Sequence, residues 1–121
     1  MTALRMAIPF LILTVSAASA ADADKGKLVF NQCKACHSVE TGQNKIGPSL
    51  HGLFGRKSGT VEGFRYSKAM EDAGIVWDSA TLDAYVADPK GTVPNNRMTY
   101  VGLRKPTDRE NLIEYLKQAT K

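Results

Sequence analysis

The sequence predicts an all-α domain in which short helices are joined by long loops, and three observations lead there. Apolar residues recur at helical spacing from Thr107 onward. Serine and aspartate stand where helix caps belong at Ser67 and Asp78. Six glycines fall within the 23 residues from Thr41 to Gly63, a stretch with no convincing strand pattern.

The first 20 residues are set apart from the fold. MTALRM carries Arg5 as its only charge, AIPFLILTV is apolar, and SAASA closes with an A-x-A cleavage pattern at Ala18-Ser19-Ala20. That is the layout of a cleaved secretory signal peptide. The apolar run is shorter than the ~18 residues a spanning helix needs and contains Pro9, which disfavours an uncleaved anchor. Residues 1–20 are therefore expected to be the signal, and 21–121 the domain of a periplasmic protein whose mature form does not span the membrane.

The elements of the domain follow in order. The spacing predicts a first helix over about Asp24 to Cys36, acidic at its start, with Leu28, Val29 and Phe30 inside. Gly26 in its first turn weakens it, which makes sense if another backbone approaches there. Ser67 caps a short helix ended at Ala73 by Gly74. Asp78 caps another that Pro89 stops at Asp88. The last helix is expected to open at Thr107, with Glu110 three residues on completing a capping box and Pro106 stopping anything earlier. Leu112, Tyr115, Leu116 and Ala119 form its buried stripe.

Without Arg5, 15 basic residues face 12 acidic ones, a net charge of +3. No Lys/Arg cluster interleaves with aromatics, so nucleic acid is not an expected partner. A domain this small and glycine-rich has a thin core, and a staple or a large buried ligand would help it.

The only two cysteines sit in Cys33-Lys34-Ala35-Cys36-His37. A disulfide between them would close a tiny loop and stabilise little. A thioredoxin-like redox pair normally opens a helix in a βαβ pattern, absent here. Zinc needs further ligands, and His51 is the only other histidine. The reading that uses all three residues is C-x-x-C-H, the c-type haem attachment signature. Two thiols one helical turn apart can add to the vinyl groups on one porphyrin edge, and the adjacent histidine can ligate the iron.

Beyond that motif the chain resembles the class I cytochromes c, most like the bacterial cytochrome c2 type and mitochondrial cytochrome c. The likeness rests on KGKLVF before the motif, GPSLHGLFGRKSG after it, then FRYSKAM, GIVW, PNNRM and the closing DRENLIEYLKQATK, spanning residues 24 to 121. The resemblance implies the small cytochrome c fold, helices and long loops wrapped around one covalently bound haem c attached through Cys33 and Cys36. It implies that Gly26 meets the last helix and that Phe30 is buried against Leu112 and Tyr115.

His37 would be one iron ligand, and His51, Met70 and Met98 are the candidates for the other. Met98 aligns with the family's distal methionine, whereas Met70 falls in a short helix and His51 on the loop wrapping the proximal side. His/Met ligation raises the reduction potential. The family's usual proline-glycine-threonine-lysine-methionine is altered here, with Asn95 in the glycine place and Asn96 in the threonine place. Asparagine tolerates left-handed backbone.

By the same resemblance, the Pro48 carbonyl orients the proximal histidine. Arg56, Tyr66 and Trp77 hydrogen-bond the haem propionates, and Tyr85 contacts the ligand methionine. The implied function is a monomeric, soluble one-electron carrier, not an enzyme. Its haem edge would dock redox proteins: a cytochrome bc1-type or dehydrogenase donor, and an oxidase, reaction-centre or reductase acceptor. Lys34, Lys45, Lys57, Lys90, Arg97, Arg104 and Lys105 are candidates for a basic docking ring. The rivals are a haem enzyme, which needs an open iron position, and a thiol–disulfide protein, which would lack a chromophore.

Overall fold

The computed structural model describes residues 1–4, 8–14 and 20–121. Arg5 and most of Ala18-Ser19-Ala20, on which the signal-peptide expectation rests, lie outside the described residues. Among those described, no helix is long and apolar enough to cross a membrane.

Among the described residues five helices follow one another: α1 (Ala23–Phe30), α2 (Lys68–Asp72), α3 (Ser79–Ala87), α4 (Pro89–Thr92) and α5 (Pro106–Ala119). The described residues form no strand, and a single bridge pairs Lys57 with Val76. The all-α expectation therefore holds.

The Asp22 carboxylate opens α1 by accepting from the backbone N–H groups of Asp24 (2.9 Å) and Lys25 (3.1 Å). The helix ends at Phe30, six residues short of the expected Cys36. Residues 31–36 continue as turns, with Cys33 N on Phe30 O at 2.8 Å and His37 N on Cys33 O at 2.9 Å. This tighter winding still brings the cysteines and the histidine to one side.

The α1–α5 contact is the close backbone approach that Gly26 foreshadowed. A Cβ at Gly26 would lie 1.9 Å from Asn111 O and 2.8 Å from the Tyr115 Cβ. Asp22 N donates to Asn111 Oδ1 at 2.8 Å, and the Phe30 and Tyr115 rings meet with centroids 5.3 Å apart. Phe30 and Leu112 are buried in the same core.

Ser67 and Asp78 cap α2 and α3 as expected, and Asp78 forms a reciprocal capping box with Thr81. Two other boundaries differ from expectation. Pro89 does not only stop α3; it occupies the first turn of α4, where Asp88 accepts from Gly91 N at 3.0 Å. In α5 the Thr107–Glu110 box does not form. Pro106 opens the helix, and Lys105 precedes it without a side-chain cap. Proline's fixed φ and missing N–H suit the first helical position, so the helix starts before threonine can cap it.

Arg109 ties α5 to its surroundings. Its Nε donates to Asp83 of α3 at 2.7 Å, and its Nη1 reaches the carbonyls of Leu103 (2.9 Å) and Arg104 (2.8 Å). The glycine-rich stretch is satisfied by cross-ties instead of a sheet: Gly52 N to Thr120 O, Gly55 N to Trp77 O, and Ser58 N to Ile75 O, all at 2.6–2.7 Å.

Candidate haem-binding site

Between α1, α3, α5 and the two long loops lies a cavity of about 590 Å³ with predominantly apolar walls. It has the size and character of a cofactor pocket. Cys33, Cys36, His37, Pro48, Arg56, Tyr66, Trp77, Tyr85 and Met98 all line it. Met70 also lines it, from α2, whereas His51 does not.

On one wall, His37 Nδ1 lies 2.8 Å from Pro48 O, which fixes Nδ1 as the donor and leaves Nε2 as the ring nitrogen with a free lone pair. Burial lowers the His37 pKa, outweighing the Pro48 hydrogen bond that raises it; the positive charges of Arg56 and Lys45 lower it further. All but the hydrogen bond favour the neutral imidazole, the form that ligates metals. The preceding residue completes this wall. A Cβ at Gly47 would come within 2.4 Å of His37 Cε1, so only glycine lets the loop backbone lie against the ring. Sequence reasoning missed that contact, although the Gly-Pro pair downstream of the cysteine motif was its visible signal.

No disulfide joins Cys33 to Cys36. Burial, and secondarily the neighbouring Cys36, pushes Cys33 up to about 11. A thiol–disulfide site works through a depressed thiol pKa, so this environment is the opposite of what that rival requires.

The facing wall is the Met98 segment. Asn96, only 4 % exposed, organises it. Its side-chain amide donates to Pro89 O (2.9 Å) and Val93 O (2.8 Å), and its Oδ1 accepts from Met98 N at 2.8 Å. The Lys90 ammonium donates to the Asn96 carbonyl, so this cation braces the loop. Asn95 adopts φ 67°, the left-handed conformation for which glycine is the usual choice. The Tyr85 hydroxyl donates to Met98 Sδ at 3.4 Å, and burial pushes its pKa up to about 12, keeping the donor protonated.

Arg56 donates to His51 O at 2.9 Å and lies partly buried, with no carboxylate in salt-bridge range among the described residues. The Tyr66 hydroxyl accepts from Val61 N at 3.1 Å, which leaves its own proton available. Trp77 is buried against Tyr85, ring centroids 5.2 Å apart.

A family model for cytochrome c matches residues 23–120. The chain belongs to the cytochrome c family.

Among known relatives, cytochrome c2 iso-2 of Magnetospirillum fulvum is 52% identical over 88 residues, which is 73% of this chain and 92% of that protein. Cytochrome c2 of Blastochloris viridis is 45% identical over 109 residues, covering 89% of this chain and 86% of that one. Among solved structures, cytochrome cH from Methylobacterium extorquens superposes with a TM-score of 0.77 at 39% identity, covering 81% of this chain and 99% of its own.

Cytochromes c are electron-transfer proteins, not enzymes, and they carry haem c bound covalently through two cysteines. Cys33 and Cys36 are the two in this cytochrome c. The cavity suits that group on its own chemistry. Its walls are apolar, imidazole and thioether donors line it along with both thiols, and the unpaired Arg56 guanidinium suits an acidic substituent.

Proposed function

We propose that this cytochrome c is an exported, periplasmic one-electron carrier whose haem iron is held by His37 and Met98. The observation that carries the reading is that both donors line one cavity with the two thiols, each steadied by a second group. His37 is oriented by the Pro48 carbonyl, and Met98 by the Tyr85 hydroxyl and the Asn96 side chain. When bound, the haem supplies one-electron chemistry between Fe(II) and Fe(III). The chain's part is to fix two ligands in both oxidation states, exclude water with apolar walls, and leave one edge reachable. On this reading Arg56, Tyr66 and Trp77, which line the same cavity, compensate the haem propionates, and residues 1–20 serve as the cleaved export signal.

Ile46 and Val101, 80 % and 82 % exposed, stand at the cavity lining with Gln32 and Arg97. Apolar side chains near an accessible haem edge, with Lys34, Lys45, Arg97 and Arg104 exposed, suit brief, salt-sensitive docking on acidic redox partners. A cytochrome bc1-type donor and an oxidase or reaction-centre acceptor are partners of that kind.

The test is Met98→Ala in the haem-loaded protein. Loss of the iron–sulfur charge-transfer band and a large fall in reduction potential are expected. An unchanged spectrum would overturn Met98 as ligand.

A further inference from the structure

The stretch of chain around Met98 is held in an unusual way. Among the described residues, 97–102 make no backbone–backbone hydrogen bond. Regular bonding stops with Asn96 N on Val93 O at 3.2 Å and resumes with Leu103 N on Val86 O at 2.8 Å. Side chains do the holding in between. Before and at Met98 these are the Asn96 amide, the Tyr85 hydroxyl and the Arg97 guanidinium, which reaches Tyr66 O at 3.3 Å.

After Met98 there is one such tie. The Tyr100 hydroxyl donates to Gln32 Oε1 at 2.9 Å, joining residues 68 positions apart. Gln32 immediately precedes Cys33, and both Gln32 and Tyr100 line the cavity. The bond therefore runs from the distal segment to the attachment segment. Further on, the chain is anchored again at Gly102, where φ is +121° and a Cβ would meet Ala87 O at 2.4 Å. Residues 97–101, between the Asn96 bracket and the Gly102 contact, are thus held by side-chain bonds alone.

We propose that Tyr100 and Gln32 form a latch across the cavity mouth that positions Met98 and resists its replacement by external ligands. The proposal rests on the reading of Met98 as the iron ligand. Exchange of that ligand requires its segment to open, and opening in this geometry separates Tyr100 from Gln32. The latch bond then adds to the cost of every opening, although it plays no part in the closed state's chemistry. Tyr100 is a positioning residue. Its ring packs on the core, so phenylalanine would keep the packing and remove only the hydroxyl.

The test uses the ferric, haem-loaded protein with imidazole as probe, buffered above the imidazole pKa so that the ligand is neutral and its approach insensitive to surface charge. Tyr100→Phe and Gln32→Leu should each raise imidazole affinity by about two- to tenfold, the range expected for one lost hydrogen bond. The double variant should go no further than the larger single effect, because both remove the same bond. Gln32→Glu retains an acceptor oxygen and should stay near the wild type. Amide hydrogen exchange at residues 98–101 should speed up in Tyr100→Phe and Gln32→Leu, while the iron–sulfur band persists in both.

Wild-type imidazole affinity in the two single variants, or fully additive effects in the double variant, would overturn the latch. If Met98→Ala kept the iron–sulfur band, the ligand assignment would fall and the latch with it. If Met98→Ala lost the band but the latch variants bound imidazole like the wild type, the latch alone would fall.

Discussion

At the scale of single residues, the Met98 segment is controlled by two asparagines with different duties. The Asn96 side chain makes three hydrogen bonds from a nearly inaccessible position, and one of them holds the Met98 amide directly. Asn96→Ala would strand buried donors and acceptors and is expected to cost about 2–3 kcal/mol. Chemical denaturation of the haem-loaded protein would measure this, alongside weakening of the iron–sulfur band. Asn95 supplies conformation, with its φ of 67°. Asn95→Gly should therefore leave stability within about 1 kcal/mol of the wild type, while Asn95→Val should lower it by roughly 1–3 kcal/mol through left-handed strain. Equal effects from the two substitutions would show that backbone conformation is not what Asn95 provides. Asparagine's tolerance of this conformation was legible in the sequence. The partners of the Asn96 side chain were not, because Pro89 and Val93 become neighbours only through the turn of α4.

Among the elements, the α1–α5 contact has the least tolerance. Gly26 and Asn111 leave no room for a methyl group, since the obstructing atom is a backbone carbonyl that cannot rotate aside. In an isolated helix Gly26→Ala would favour α1 by up to about 1 kcal/mol. Here overpacking outweighs that gain, and a net loss of about 1–3 kcal/mol is expected in urea denaturation. A stabilised Gly26→Ala protein would mean that the two helices can separate at little cost. Helix starts were legible where the cap is a local motif, as at Ser67 and Asp78. The start of α5 was misread because Pro106 carries two local meanings, a barrier to a preceding helix and a favoured first residue of a following one. The end of α1 was misread because residues 31–36 keep helix-like turns without a regular helix.

For the whole molecule, the cofactor and the core are one packing problem. Phe30, Leu53, Trp77, Leu82, Leu112 and Leu116 belong to the core and also face the cavity. With haem in place their inner surfaces are covered; without it they meet water. Cys33→Ala/Cys36→Ala, purified free of haem, should lose cooperative thermal unfolding and the near-ultraviolet signature of fixed aromatics. Retention of a sharp transition in that variant would show that the helices and loops suffice as a core. At this same scale, docking through exposed cations predicts that electron-transfer rates with acidic partners fall as ionic strength rises. Rates indifferent to salt would remove the basic surface from the account.

The sequence by itself determined the attachment chemistry, two thiols and a histidine at fixed spacing, and the periodicity and caps of an all-α fold, whereas Met98 was marked only by the family resemblance. The motif, the periodicity and the caps are legible because each is a local pattern set by one turn of helix or by the motif's own geometry. Only the tertiary structure decided which long-range neighbours hold the pieces. The lysine bracing Asn96 and the bond between Tyr100 and Gln32 leave no pattern along the chain, and the glycine against His37 leaves only the Gly47-Pro48 pair. Each fixes a loop through a side chain or a close backbone approach instead of regular secondary structure, and no local periodicity records that meeting.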